Sequence, residues 1–333
     1  MSGRTRARLV AALTALAVTA SLAACGGAES TPAAGTSPAA GAFPVSVEHK
    51  YGTTEIKAAP QRVVTLGLSD ADAVLALGLK PVGVVDWFEE KPFGKWPWAQ
   101  PVWGGVTPTI VGKRDEYNLE QVAAVRPDLI IAQYSGMKKE QYETLSKIAP
   151  VVAQPKGFAD YQAPWRDMTR NIGKAVGQSA KIETLIARVD ARFAAARAAS
   201  PQWAGKTVAI AEIYEAGKYS AFSPNDPKMI FMKELGFVAS PAYTKALGAQ
   251  NVADLSFERF DLLDGDRLVW FVTGGDTQKQ LMANNLYRRL KVAQEGRHLF
   301  LDYENPPVAA AMSFNTVLSI PYALDQVLPQ LSK

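Results

Sequence analysis

Few side chains in this sequence can do covalent or metal chemistry: one cysteine, Cys25, and two histidines, His49 and His298. Zinc or manganese sites need several His and carboxylate ligands converging, and two histidines rule out a multi-histidine site within one chain. An enzyme reading is equally short of parts. No G-x-S-x-G elbow, H-E-x-x-H pair or P-loop occurs, and Gly274-Gly275-Asp276 reads as a strand-ending turn. Two histidines leave little for a Ser-His-Asp arrangement. The chemistry on offer is recognition. A bulky, part-apolar ligand with anionic oxygens needs aromatic walls and a few cationic or hydroxyl donors. Trp87 and Phe88 follow one apolar run, with Trp96, Trp98 and Trp103 in the Pro/Gly-rich stretch behind them. Tyr134 follows a second run, and Tyr214, Tyr219 and Phe222 a third, while Tyr303, Asn305 and Phe314 precede the last helical stretch. Arg114, in GKRDEYNLE, and Arg166, beside Trp165, are the cationic candidates, since arginine's planar fork suits anionic oxygens and stays charged on partial burial. Against each stands a plainer role, in lobe packing or a solvated loop pair with Asp115 or Glu116.

Positioning these residues requires a framework, and the sequence alternates short β-rich runs with helical ones. Residues 62–66 (RVVTL) read as a strand, Ser69-Asp70 as a helix cap, 71–77 as a helix and 81–85 (PVGVV) as the next strand. LIIA at 129–132 and VAIA at 208–211 are further buried strands. Such alternation argues for α/β units with parallel sheets. Between 164 and 200, apart from punctuation by Gly173 and Gly177, the sequence turns Ala-, Arg- and Lys-rich. Its second half, 179–199, reads as a strong helix with Ile182, Leu185, Ile186, Val189 and Phe193 at helical spacing. The expected fold is two Rossmann-like α/β lobes, 43–163 and 201–333, joined through 164–200 by a single long rigid helix.

An internal repeat supports that division. Residues 118–131 align without a gap on 256–269, at a constant offset of 138. Each copy holds a capping residue (Asn118, Ser256), a glutamate (Glu120, Glu258), a Pro or Gly break, an aspartate (Asp128, Asp266) and a strand. Acids in a first helical turn stabilise the helix by up to about 1 kcal/mol, but their recurrence at matching places favours a further role.

The N-terminus sets the compartment. Arg4, Arg6 and Arg8 precede a short apolar run, Leu9 to Ala20, and then Leu22-Ala23-Ala24-Cys25. This reads as a secretory signal peptide over 1–24. A cysteine at the first mature position resembles the lipobox of bacterial lipoproteins. That resemblance implies a thioether-linked diacylglyceryl group and an acylated, palmitate-type amino terminus, together a stable anchor. Residues 25–42 then form the lipidated Cys and a flexible tether, whose seventeen small residues reach roughly 20–25 Å. Without the first 24 residues, which hold three arginines and no acids, 33 basic residues face 32 acidic ones. A nearly neutral body gives no case for nucleic acid.

The runs RVVTLGLSDADAVLALGLKPVGVV, NLEQVAAVRPDLIIAQYSG, YETLSKIAPVV and AMSFNTVLSIPYALDQVLPQL together resemble, in order, class III solute-binding proteins of ABC importers, within the iron-siderophore branch. The resemblance implies ligand bound in a cleft between the lobes, a ferric siderophore as cargo, an ABC permease with its ATPase as partner, an extracytoplasmic location on the outer face of the membrane, and no catalytic role or cofactor. It places Arg114 against the chelating oxygens and, less closely, matches Tyr134 to a ligand tyrosine. Trp87, Trp103, Trp165, Arg166, Tyr214, Tyr219, Tyr303 and Phe314 complete the expected ligand set, and Glu120 and Glu258 are the expected docking points for permease arginines. Cobalamin or haem is the alternative cargo.

Overall fold

A computed structural model describes residues 43–88, 96–215 and 217–332, with the side chains of Tyr214 and Glu215 excepted. Cys25 and the segments expected to be signal peptide and tether lie outside these residues. The chain opens on an antiparallel hairpin, β1 (Val45–His49) with β2 (Gly52–Ile56). A six-stranded sheet follows from β3 (Val63–Thr65), β4 (Gly83–Asp86), β5 (Thr109–Lys113), β6 (Glu116–Tyr117), β7 (Leu129–Ala132) and β8 (Val151–Ala153), in the order β6-β5-β4-β3-β7-β8. All pairings are parallel except the edge pair β5–β6. The second sheet uses β9 (Val208–Glu215), β10 (Lys218–Phe222), β11 (Val252–Ser256), β12 (Arg267–Val272) and β13 (His298–Asp302), in the order β11-β10-β9-β12-β13. Here β9, β12 and β13 are parallel and β10 is antiparallel to both neighbours. Helices cover the sheets, so strands such as LIIA in β7 are buried along their whole length, as parallel sheets require.

The 138-residue repeat has a structural counterpart. Val122 and Phe260, at matching positions, are both buried under their sheets. Asp128 accepts the backbone N–H groups of Gln61 and Arg62 at 2.7 and 2.8 Å, just before β3. Asp266 accepts the N–H of Thr207 at 2.8 Å and its hydroxyl at 2.9 Å, just before β9. Each aspartate thus ties the strand that follows it, β7 or β12, to the first strand of its own sheet.

In the 164–200 segment the helix expected over its second half is present as Ser179–Ala199, and the first half forms a further helix, Trp165–Ala175. Gly177, at φ 71°, makes the turn between them in a conformation that favours glycine. The two then lie close together, because a Cβ on Gly173 would come within 2.6 Å of Ile182. Arg170 pairs with Glu183 across them at 2.8 Å.

The halves also meet directly. Trp96 stacks on Trp98 at 5.3 Å, and Trp98 packs against Phe314 and Tyr322, each at 5.4 Å. Beneath this cluster the buried Asp72 accepts the Trp98 indole N–H at 3.0 Å and the Thr316 hydroxyl at 2.6 Å, joining chain segments 244 residues apart. Burial pushes the Asp72 carboxyl up to about 7, against the two hydrogen bonds that lower it. A folded-state value above the unfolded one, about 3.9, gives stability that is fully present below the unfolded value and lost as pH rises through about 7. The melting temperature should therefore fall by a few degrees between pH 5 and 8 relative to Asp72→Asn, whose amide keeps an acceptor but does not titrate. Parallel melting curves for the two proteins would show that Asp72 is ionised throughout.

Candidate functional site

Between the halves lies a cleft of about 590 Å³, within the 300–1,000 Å³ usual for ligand pockets. Its walls are built where strands end. Trp87 follows β4, Tyr134 follows β7, Phe222 closes β10, and Tyr303 follows β13. Trp87, Tyr134 and Tyr303 stand at the carboxyl ends of parallel strands, the standard binding crevice of open α/β sheets, and Phe222 joins them from the antiparallel β10.

Arg114 stands at the tip of the β5–β6 hairpin, with φ at 50° and its backbone N–H donated to the Asp86 carbonyl at 3.2 Å. Its guanidinium lies over the Trp87 ring at 5.6 Å, and among the described residues it has no ion-pair partner. The left-handed backbone costs roughly 1–2 kcal/mol for a non-glycine residue, so the turn holds this arginine at the cleft against its local preference. The neighbouring Asp115 is engaged elsewhere. Its carboxylate accepts the Gly136 N–H at 2.9 Å and the hydroxyls of Tyr161 and Tyr117. Gly136 has to be glycine there, because a Cβ would collide with the Tyr161 hydroxyl. Tyr161, so held, tilts against Tyr134 at 5.5 Å and meets Trp87 edge-on at 6.1 Å.

The facing wall carries a polar group that sequence reading missed: Glu212 in β9, with Asp226 and Lys228 at the start of the helix Pro227–Glu234. Asp226 caps that helix by accepting the Lys228 N–H at 3.0 Å, and also pairs with the Lys228 ammonium at 3.0 Å. Lys228 Nζ sits 4.0 Å over the Phe222 ring. Glu212 accepts the Tyr303 hydroxyl at 3.0 Å. Burial raises the Glu212 carboxyl above its ordinary value, with Lys228 and the Tyr303 hydroxyl pulling the other way. Burial first, and then Glu212, push the Tyr303 phenol well above its usual value, so it remains a donor.

The structure therefore brings Arg114, Trp87, Tyr134 and Tyr303 to one cleft. Trp103 and Phe314 line a narrow apolar recess below it, with room for about 30 Å³. Three other candidates sit elsewhere. Trp165 is buried in the core. Arg166 beside it spends its donors on Asp190 and Glu234, at 2.5 and 2.6 Å. Tyr219, on β10, is fully buried and donates to the Arg259 carbonyl at 2.7 Å. The Tyr214 side chain is outside the described residues.

Both histidines have local partners. His49 bonds to the Thr54 hydroxyl and His298 to the Tyr287 hydroxyl, each at 2.8 Å, and burial lowers both imidazoles below their ordinary value. Among the described residues no three His, Cys, Asp or Glu side chains group as metal ligands would, and no helix is long and apolar enough to cross a membrane.

Residues 63–304 match the periplasmic binding protein family. A probable siderophore-binding lipoprotein of Bacillus subtilis, YfiY, is 28% identical over 264 residues, covering 75% of this chain and 78% of its own. The putative substrate-binding lipoprotein YhfQ of the same organism is 39% identical over a shorter stretch, so the match spans 42% of each chain. A periplasmic solute-binding protein from Mycobacterium smegmatis superposes with a TM-score of 0.77 at 33% identity, over 86% of this chain and 97% of that one. PiaA of Streptococcus pneumoniae, solved with ferrichrome, gives 0.73 at 28% identity over 86% and 97%.

Proposed function

The chain belongs to the periplasmic binding protein family, and from that premise we propose that it captures a ferric siderophore outside the cytoplasm and delivers it to an ABC importer. The observation that carries this reading is the aromatic-walled cleft with, at its rim, an arginine that has no ion-pair partner among the described residues. Three or four aromatic faces shelter the organic shell of a chelate, while Arg114 offers charge-assisted hydrogen bonds to its oxygens. Nothing in this arrangement needs to react. The cleft binds, and iron arrives already wrapped in hard oxygen ligands.

Ferric siderophores absorb in the near ultraviolet and visible, so a bound chelate should quench nearby tryptophans, of which the chain has seven. Titrating the purified protein with ferric hydroxamates, ferric catecholates, haem and cobalamin tests the reading. Saturable quenching by a ferric siderophore is expected. Tighter binding of haem or cobalamin than of every siderophore would replace it.

The same proposal includes the anchor and the docking points. Cleavage before Cys25 and lipidation of its thiol would hold the body beside the membrane on its tether. Cys25→Ser should release the protein from the membrane fraction or leave it uncleaved, with the melting temperature of the folded body unchanged. A membrane-bound variant with a mature N-terminus would remove the lipid assignment. Glu120 and Glu258, both exposed, are the proposed contacts to the permease.

A further inference from the structure

The cleft's charge is informative about its cargo. Among the described residues lining it are four carboxylates, on Asp115, Glu212, Asp226 and Glu304, and two cations, on Arg114 and Lys228. Two of the carboxylates are already satisfied. Asp115 holds three hydrogen bonds from its own half, and Asp226 is paired with Lys228. That leaves Arg114 on one wall, and on the other Glu212, which shares the Lys228 charge with Asp226 and, among the described residues, accepts its hydrogen bond from a neutral phenol. Glu304 is exposed at the rim beside it.

Ferric chelates differ in charge. Three hydroxamates cancel the charge of Fe(III), three catecholates leave a trianion, and citrate-type chelates are also anionic. Among the described lining residues a strongly anionic chelate would meet more carboxylates than cations, and like charges at close range are repelled. A neutral iron centre avoids that penalty, and a cationic arm on the same molecule turns Glu212 and Glu304 from a liability into a contact.

We propose that this cleft selects a ferric trihydroxamate carrying a free ammonium group, with the chelating oxygens turned to Arg114 and the ammonium received by Glu212, whose carboxylate Tyr303 holds in place. This rests on the siderophore reading and narrows it. It also accounts for burial raising the Glu212 carboxyl: an ammonium beside it would restore the ionised form.

Two probes with the same iron centre isolate the claim. Ferrioxamine B is a linear ferric trihydroxamate ending in a primary ammonium, and its N-acetyl derivative is neutral. The purified full-length chain should bind the ammonium form about 10- to 150-fold more tightly, the range for one hydrogen bond between charged partners. The preference should shrink as salt is raised, and in Glu212→Gln the gap between the two chelates should close. Equal affinity for the two forms in the unaltered protein overturns the proposal, and this comparison does not depend on how the variant folds. Tighter binding of ferric dicitrate or a ferric tricatecholate also overturns it while leaving the siderophore reading intact. Failure of every ferric chelate to bind would overturn both.

Discussion

Reversing Glu120 and Glu258 together to arginine is expected to cut iron uptake by about two orders of magnitude while chelate affinity stays at its normal level. Both glutamates are exposed and lie outside the cleft, each in the first turn of a short helix. Asn118 caps the first by accepting the Gln121 N–H at 3.0 Å, and Ser256 caps the second by accepting the Glu258 N–H at 3.3 Å. As helix-stabilising acids they contribute about 0.3–1 kcal/mol each, so the folded state should tolerate their loss. As docking points they would meet permease arginines, and facing a like charge there costs several kcal/mol. Single reversals should be milder than the double, because both halves of the protein register on the importer together. Uptake of radiolabelled iron by cells carrying the cognate importer, set beside the affinity of each purified variant, separates delivery from capture. Normal uptake by the double variant would leave the two glutamates with their helix role alone.

The repeat that singles out these glutamates is legible in the sequence because it is local. A cap, a buried apolar residue, a break, an aspartate and a strand all fall within fourteen consecutive residues, and each link is a short-range physical rule. The strands were legible for the same reason. LIIA over 129–132 is a buried parallel strand in both readings, and RVVTL is one with its ends trimmed to Val63–Thr65. The second half of the connector was legible too: the helical spacing starts after Gly177 and gives the helix Ser179–Ala199, while the left-handed backbone of Gly177 makes the turn into it.

The cleft was legible on one side. Arg114, Trp87 and Tyr134 stand beside loops whose polar or aromatic character already marks them, whereas Glu212 sits inside VAIAEIYE, where a glutamate in a strand reads as an outward-facing polar residue. Asp226 and Lys228 carry an ordinary cap signal, Asp-Pro-Lys at a helix start, with no hint that the cap faces a ligand space. Tyr161 comes into play only because Gly136 and Asp115, 25 and 46 residues upstream, let it approach. Conversely, Trp98 resembles wall material in sequence, yet it fills the contact between the halves, while Trp96, stacked on it, serves both that contact and the cleft wall. Aromatic residues serve packing and binding with the same surface, so only long-range placement tells the two apart.

Arg114→Ala is expected to weaken binding of the preferred chelate by about 10- to 150-fold, the equivalent of roughly 1.5–3 kcal/mol for a hydrogen bond to a charged group. The free protein should melt at nearly its normal temperature. In the absence of ligand the guanidinium makes no ion pair among the described residues and only rests over Trp87, an exposed contact worth about 0.5–1 kcal/mol. Alanine also inherits the same left-handed backbone at φ 50°, so the substitution neither relieves nor adds turn strain. Arg114→Lys sharpens the reading. It keeps the charge but loses the planar fork, so if two chelating oxygens are held in parallel it should recover only part of the affinity. Full recovery by lysine would mean that Arg114 acts as a point charge at the rim. Unchanged affinity in the alanine variant would return it to a solvated hairpin tip and leave the cleft's aromatic walls to bind alone.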